Sequence, residues 1–315
     1  MRMAVSNRSC PTAPNRLSVY YMLKMVADSQ SFSPSSLKPL YLAERLVKCK
    51  NVQLKDFEPA TFAHLIMSHV PTYVDDILNL RIENGFGNKS APIRDSLLYT
   101  VGAEIAAALH VARQGGLAWA LCSGFHHATR TAAGGFCTFD GLSIAGRAVQ
   151  REMKADIRIL IVDGDAHYGN GTVDCIHDDE TFEYATYNTR VKNSLVAPDL
   201  IERIDRFKPD IILFQDGLDA YKFDPLSEDG LSYKELADRT AEICRIAQQA
   251  KTPLVINLAG GYTRCHHPSV ENELEPVLTG HLNAIKVSAE IYGVAMPEIE
   301  FAFDGIWERE AVNAE

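Results

Sequence analysis

Four continuous apolar runs constrain this chain more than any other feature: LAWALC (117–122), IRILIVD (157–163), DIILFQ (210–215) and PLVINLAGG (253–261). A strand with one solvated face alternates apolar and polar residues, whereas a strand covered on both faces can be apolar throughout, so these runs predict a parallel sheet buried between helices. The helices are legible between them. RDSLLYTVGAEIAAALHVARQ (94–114), GLSIAGRAVQREM (141–153), SYKELADRTAEICRIAQQA (232–250) and VENELEPVLTGHLNAIKVSAEIY (270–292) carry apolar residues at helical spacing, and Ser232 is placed to cap the third of them. The first ~90 residues read as helical and loop-rich. No Gly-, Pro- or Ser-rich linker and no internal repeat interrupts the 315 residues. The expected architecture is therefore α/β: a single domain over 1–315, three-layer α/β/α, with a mostly parallel central sheet.

Composition narrows the function. With 46% hydrophobic and 23% charged residues, the chain has the makings of a large globular core. A net charge of −10 argues against a sequence-independent grip on nucleic acid or on an anionic membrane, both of which need a basic surface. Seven cysteines, scattered from Cys10 to Cys265 without a CxxC pair, suit free thiols in a reducing compartment. The opening MRMAVSNRSCPTAPNR is polar, without the apolar core of a secretory signal, and no apolar run is long enough to span a bilayer. The expectation is a cytoplasmic protein, with its oligomeric state left open.

In open α/β sheets, ligand sites lie beyond the carboxyl ends of the strands, so the polar residues there carry the functional information. His126 and His127 follow the first apolar run; Asp163, Asp165 and His167 follow the second; Asp219 follows the third; Tyr262 follows the fourth. A strand-end Asp by itself usually caps a helix, but four such ends with side chains of this kind point to one site. The alternation of Asp163, Asp165 and His167 sends them toward one side, so a carboxylate and an imidazole can converge on an ion. Asp219 would complete a three-ligand set that leaves positions open for water and substrate, as catalytic zinc requires.

The blocks SGFHHATRTAAGGFC, VDGDAHYGNG, DGLDAYKFDPL and LAGGYT, with SHVPTYVDDIL (68–78) upstream, resemble the histone deacetylase family of zinc-dependent amidohydrolases in content and in order. AHYGNG, with Asn170 where most members have Asp, looks closer to the class IV branch and some bacterial relatives. The related arginase-like hydrolases place a further Asp where this chain has Gly169, so one metal is expected, not two. The resemblance implies that Asp165, His167 and Asp219 hold Zn²⁺, which polarises the scissile carbonyl and activates water. It implies that His127 is general base and then acid, that His126 backed by Asp163 is its electrostatic partner, and that Asn170 orients His127. Tyr262, on a loop made pliable by Gly260 and Gly261, would hydrogen-bond the oxyanion. Gly135 and Phe136 would line a channel for an acyl-lysine stem. A structural K⁺ beneath the zinc, held partly by carbonyls of the DGDAH segment, is also implied. The implied partner is an acylated lysine in a peptide or protein, or a small acylated amine such as an acetylated polyamine.

The other histidines have plainer readings. His266 and His267 have no counterpart in the family and read as a surface loop; His64, His69, His110, His177 and His281 read as core or surface residues. Cys137 reads as a small hydrophobe.

Overall fold

The computed structural model describes residues 16–186, 199–227, 230–266, 270 and 272–296. The polar opening stretch with Cys10, and His267 of the second histidine pair, lie outside the described residues. Seven strands form one sheet: β1 (Leu17–Tyr20), β2 (Val52–Lys55), β3 (Leu117–Ala120), β4 (Ile159–Asp163), β5 (Phe182–Thr186), β6 (Ile211–Gln215) and β7 (Leu254–Asn257). Their order is β2-β1-β3-β7-β6-β4-β5. Every neighbouring pair is parallel.

The apolar runs are apolar because both faces are covered. On one face Trp119, Leu160, Val162, Ile212, Phe214 and Ile256 pack under α1 (Lys38–Leu46), α7 (Leu200–Phe207), α8 (Tyr233–Gln249) and α9 (Glu275–Ile291). On the other, Ala118, Ala120, Ile159, Ile161, Leu213 and Val255 pack under α4 (Ala91–Gln114) and α5 (Gly141–Met153). Shorter helices α2 (Phe62–Leu65), α3 (Pro71–Leu78) and α6 (Asn170–Ile176) sit in the connections. The result is the three-layer α/β/α arrangement. Helix boundaries follow from caps: α8 opens with a reciprocal Ser232–Glu235 box, and α4 stops at Gly115, whose φ of 74° ends the helix without a Cβ clash. Cys49, Cys122, Cys137, Cys175 and Cys244 are buried thiols. Among the described residues no helix is long and apolar enough to cross a membrane.

One expectation needs correction. The segment read as helical and loop-rich contains β1 and β2, each only four residues long. LSVY is too short to show a period, and VQLK is an edge strand with a single buried residue. FEYAT forms the opposite edge strand, β5, and was hidden for the same reason. Edge strands are stabilised by one neighbour and one packed face, so little of their sequence has to be apolar.

Glu104 of α4 is fully buried; its Oε2 accepts from Cys122 Sγ at 3.5 Å while Oε1 has no partner. Burial pushes its carboxyl up to about 7.

Candidate active site

The carboxyl ends of four adjacent strands, β3, β7, β6 and β4, deliver their side chains to one place. Asp165 and His167 leave β4, and Asp219 leaves β6. One donor atom from each lies within 4.8 Å of the other two. His167 Nδ1 is 2.9 Å from Asp219 Oδ2 and 3.2 Å from Asp165 Oδ1. Both carboxylates are buried, and they oppose one another: burial and the charge of Asp165 push the Asp219 carboxyl up to about 7. Burial also works against the charge on Asp165, yet His126 and His167 hold its carboxyl well below the usual range. Two buried carboxylates and an imidazole converging in this way are the oxygen and nitrogen donors that Zn²⁺ takes, and a cation between them would relieve their repulsion, so the residues fit the ion.

Backbone contacts aim these donors. His167 N donates to Asp165 Oδ1 at 3.0 Å, Ala166 N to Asp219 Oδ1 at 3.0 Å, and Gly260 N to Asp165 Oδ2 at 2.9 Å. Gly260 is required here by space: a Cβ would come within 2.6 Å of an oxygen of both Asp165 and Asp219. Close approach of backbone to these two carboxylates, rather than loop pliability, is what calls for a glycine at this position.

The histidine pair sits beside this cluster, its rings 4.1 Å apart. His126 is buried, with Nδ1 2.8 Å from Asp163 Oδ2. Burial opposes its charge, but Asp165 and Asp163 raise its pKa to about 9. His127 is only half-buried, and its Nδ1 lies 2.7 Å from Asn170 Oδ1. An amide oxygen only accepts, so Nδ1 carries the proton and Nε2 keeps its lone pair. Burial and the neighbouring His126 both lower the His127 pKa. The two imidazoles are thus held in different protonation states by different partners.

Tyr262 follows β7 and is held by Asp224, whose Oδ2 accepts from Tyr262 N at 2.6 Å and from Thr263 Oγ1 at 2.9 Å. Phe136 faces the Tyr262 ring at 5.5 Å, and Phe32 lies 5.5 Å from Phe136 and 5.6 Å from Tyr262, building an aromatic wall. Gly135 takes φ +51°, and a Cβ there would strike the His127 ring at 2.3 Å. Cys137 is buried with its thiol on Gly135 O at 3.3 Å, and burial pushes its pKa well up.

Several residues that sequence reasoning did not single out also serve the site. Tyr184 donates to Asp163 Oδ2 at 2.7 Å and accepts from Gly169 N at 2.9 Å. Lys38 is fully buried and donates to Ala259 O at 2.8 Å and Gly260 O at 3.2 Å; burial pulls its pKa down to about 8 against the attraction of Asp219, Asp165 and Asp224. Arg239 is fully buried beneath the ligand loops. The available signal was a charge on an apolar stripe: Lys38 lies four residues before Leu42, and Arg239 three after Leu236. Of the remaining histidines, His69 bridges Thr129 O and Asp140 N, both at 2.8 Å, and so fixes the loop after the histidine pair. His281 is fully buried and His266 lies at the surface.

The sequence profile of the histone deacetylase domain matches residues 14–193 and 185–275. The chain belongs to the histone deacetylase family. Histone deacetylase 2 of Arabidopsis thaliana is 26% identical over 201 residues, covering 56% of this chain and 51% of that protein, so the chain spans about half the length of this relative. An uncharacterised protein of Picosynechococcus is 28% identical over 236 residues, 66% of this chain and 78% of its own. The polyamine deacetylase HDAC10 of Danio rerio is 36% identical over 77 residues, 24% of this chain and 11% of that one. In structure, the acetylpolyamine aminohydrolase of Burkholderia pseudomallei superposes with a TM-score of 0.68 at 15% identity, covering 87% of this chain and 99% of the other, so the two share the deacetylase fold.

Proposed function

We propose that this chain is a single-domain zinc-dependent deacylase that hydrolyses the amide of an acylated amine, with acyl-lysine in a peptide or protein as its substrate. The observation that carries the reading is the convergence of the Asp165, His167 and Asp219 donors within 4.8 Å beside an imidazole whose Nε2 is free to accept a proton. When bound, zinc supplies the Lewis acidity that polarises an amide carbonyl and acidifies the attacking water. His127 Nε2 takes the proton from that water and returns it to the departing amine. Asn170 keeps the ring in the tautomer that permits this. His126, paired with Asp163, supplies positive charge next to the developing tetrahedral centre, and the Tyr262 hydroxyl donates to its oxyanion. Phe136 and Gly135 flank the stem of the acylated side chain, and Phe32 adds a wall on the same side. The buried thiols accord with a reducing, cytoplasmic setting.

A second reading, an acetylated polyamine as substrate, draws on the local similarity to the Danio rerio polyamine deacetylase and on the fold shared with the Burkholderia aminohydrolase. The deciding experiment measures zinc content and compares turnover of acetyl-, long-chain acyl- and trifluoroacetyl-lysine peptides with that of acetylated polyamines. Peptide turnover inhibited by a hydroxamate supports the first reading; turnover confined to polyamines supports the second. A protein that binds no zinc and cleaves neither is a binding module, and both readings fall.

A further inference from the structure

Arg239 reaches from α8 to the underside of both ligand loops. One amino group of its guanidinium donates to Gly164 O, between Asp163 and Asp165. The other donates to Gly217 O at 2.6 Å, two residues before Asp219, and to Asp216 Oδ1 at 2.9 Å. Asp216 Oδ1 is in turn held by Thr240 Oγ1 at 3.0 Å. The last rung between β4 and β6 at this end is Gly164 N to Gln215 O at 2.9 Å. Beyond it Ala166 N and His167 Nδ1 reach Asp219 on the side of the site, and the guanidinium bridges a backbone carbonyl of each loop from the opposite side.

Stability does not explain the pair. Both side chains have no solvent exposure. Desolvating two charges offsets most of their attraction, so well-packed apolar residues of similar volume would hold the core as well or better. Nor is the guanidinium placed for its own satisfaction, since its Nε has no partner. What it does satisfy is one carbonyl from each ligand loop. A guanidinium is rigid and planar, so the two acceptors it bridges are held at a fixed separation, which a flexible ammonium cannot enforce. Gly164 makes room for it, because a Cβ there would approach Arg239 Cζ to 3.0 Å.

We infer that Arg239 is a positioning residue: bridging Gly164 O and Gly217 O, it sets the spacing of Asp165 and His167 against Asp219 and thereby the affinity of the site for its metal. This rests on the metal reading above. Groups just outside the ligands orient them, and their loss typically costs about 10–100-fold in metal affinity.

The test compares the full-length parent with Arg239→Lys and with the double variant Asp216→Leu/Arg239→Met, which removes both charges together and leaves none buried alone. Three quantities are read: zinc affinity by competition with a chromophoric chelator, the visible spectrum of the cobalt-substituted protein, and the melting temperature of the metal-free protein. The double variant should fold, its melting temperature lowered only by the two carbonyls left without a donor, bind zinc about 10–100-fold more weakly and show an altered cobalt spectrum, with Arg239→Lys in between. If zinc affinity and cobalt spectrum match the parent and only the melting temperature moves, the pair is a structural ion pair and the inference is wrong. Should the double variant not fold, parent-like zinc affinity in Arg239→Lys overturns it equally. A parent protein that binds neither zinc nor cobalt overturns the metal reading itself, and the inference with it.

Discussion

His127 and Asn170 are joined by a 2.7 Å contact between Nδ1 and Oδ1, an interaction that orients the imidazole without placing a negative charge beside it. Burial and the charge of His126 already lower the His127 pKa, so the base form prevails at neutral pH. Asn170→Asp adds the missing charge. A carboxylate at that distance favours the imidazolium and raises its pKa, by roughly one to two units at a half-buried site. Deprotonated His127 then becomes scarcer below that pKa, and the acidic limb of the kcat/KM profile moves to higher pH. The pH–rate profile should be paired with an NMR titration of His127 in parent and variant. If neither shifts, Asn170 does not act on the base.

Tyr262→Phe keeps the ring against Phe136 and Phe32 and removes only the hydroxyl. Its loss should lower kcat by roughly two to three orders of magnitude while KM changes little, because an oxyanion donor acts chiefly in the transition state. Steady-state kinetics decides this. An effect confined to KM would make Tyr262 a substrate-binding residue instead.

Asp219→Ala should abolish stoichiometric zinc and with it hydrolysis. The metal-free variant should still fold, because Asp219 lies past the end of a strand rather than in the apolar core, but it should be no more stable than the metal-free parent: relief of the repulsion from Asp165 is offset by loss of the contacts with His167 Nδ1 and Ala166 N. Metal analysis and calorimetry of both proteins test the two halves separately; zinc retained at one per chain would exclude Asp219 from the site.

Glu104 predicts a pH effect on stability that is independent of the active site. Its carboxyl is raised from 4.5 to about 7 in the folded protein, so its folded-state pKa lies above the unfolded one. The contribution to stability is fully present below about 4.5 and is lost as pH rises through about 7. Glu104→Gln should abolish that decline and raise stability at pH 8 by up to roughly 3 kcal/mol. Urea denaturation of both proteins between pH 4.5 and 8 measures the difference, and parallel curves would refute it.

The parts of this molecule that could be read from its residues are those governed by local rules. Ile159–Asp163 and Ile211–Gln215 read as doubly covered strands because each is a short apolar run rich in β-branched residues, and the polar residues just past several such runs gather at one end of the sheet. Asp165, His167 and Asp219 follow directly. Leu17–Tyr20 and Val52–Lys55 did not, because four residues at the margin of a sheet carry no period, and their pairing depends on chain distant in sequence. Lys38, Tyr184 and Arg239 were missed for a related reason. Each lies on an element of its own and acquires meaning only when the fold brings it under a loop more than 20 residues away.

The order of the strands has a consequence of its own. His126 and His127 leave β3, Tyr262 leaves β7, Asp219 leaves β6, and Asp165 with His167 leaves β4, and these four strands are consecutive in the sheet. Their spacing, about 4.8 Å per step, belongs to backbone hydrogen bonding and is nearly indifferent to side-chain sequence. The sheet therefore works as a ruler, dimensioning the distance from the histidine pair to the Asp165, His167 and Asp219 cluster. Residues at the mouth such as Phe32 and Phe136 hang from loops and can be exchanged for ones that admit another acyl group or another amine, leaving the ruled distances alone. A single residue inserted within one strand would do the opposite: it would turn that strand's terminal side chain to the far face and dismantle the site while the mouth stayed as it was.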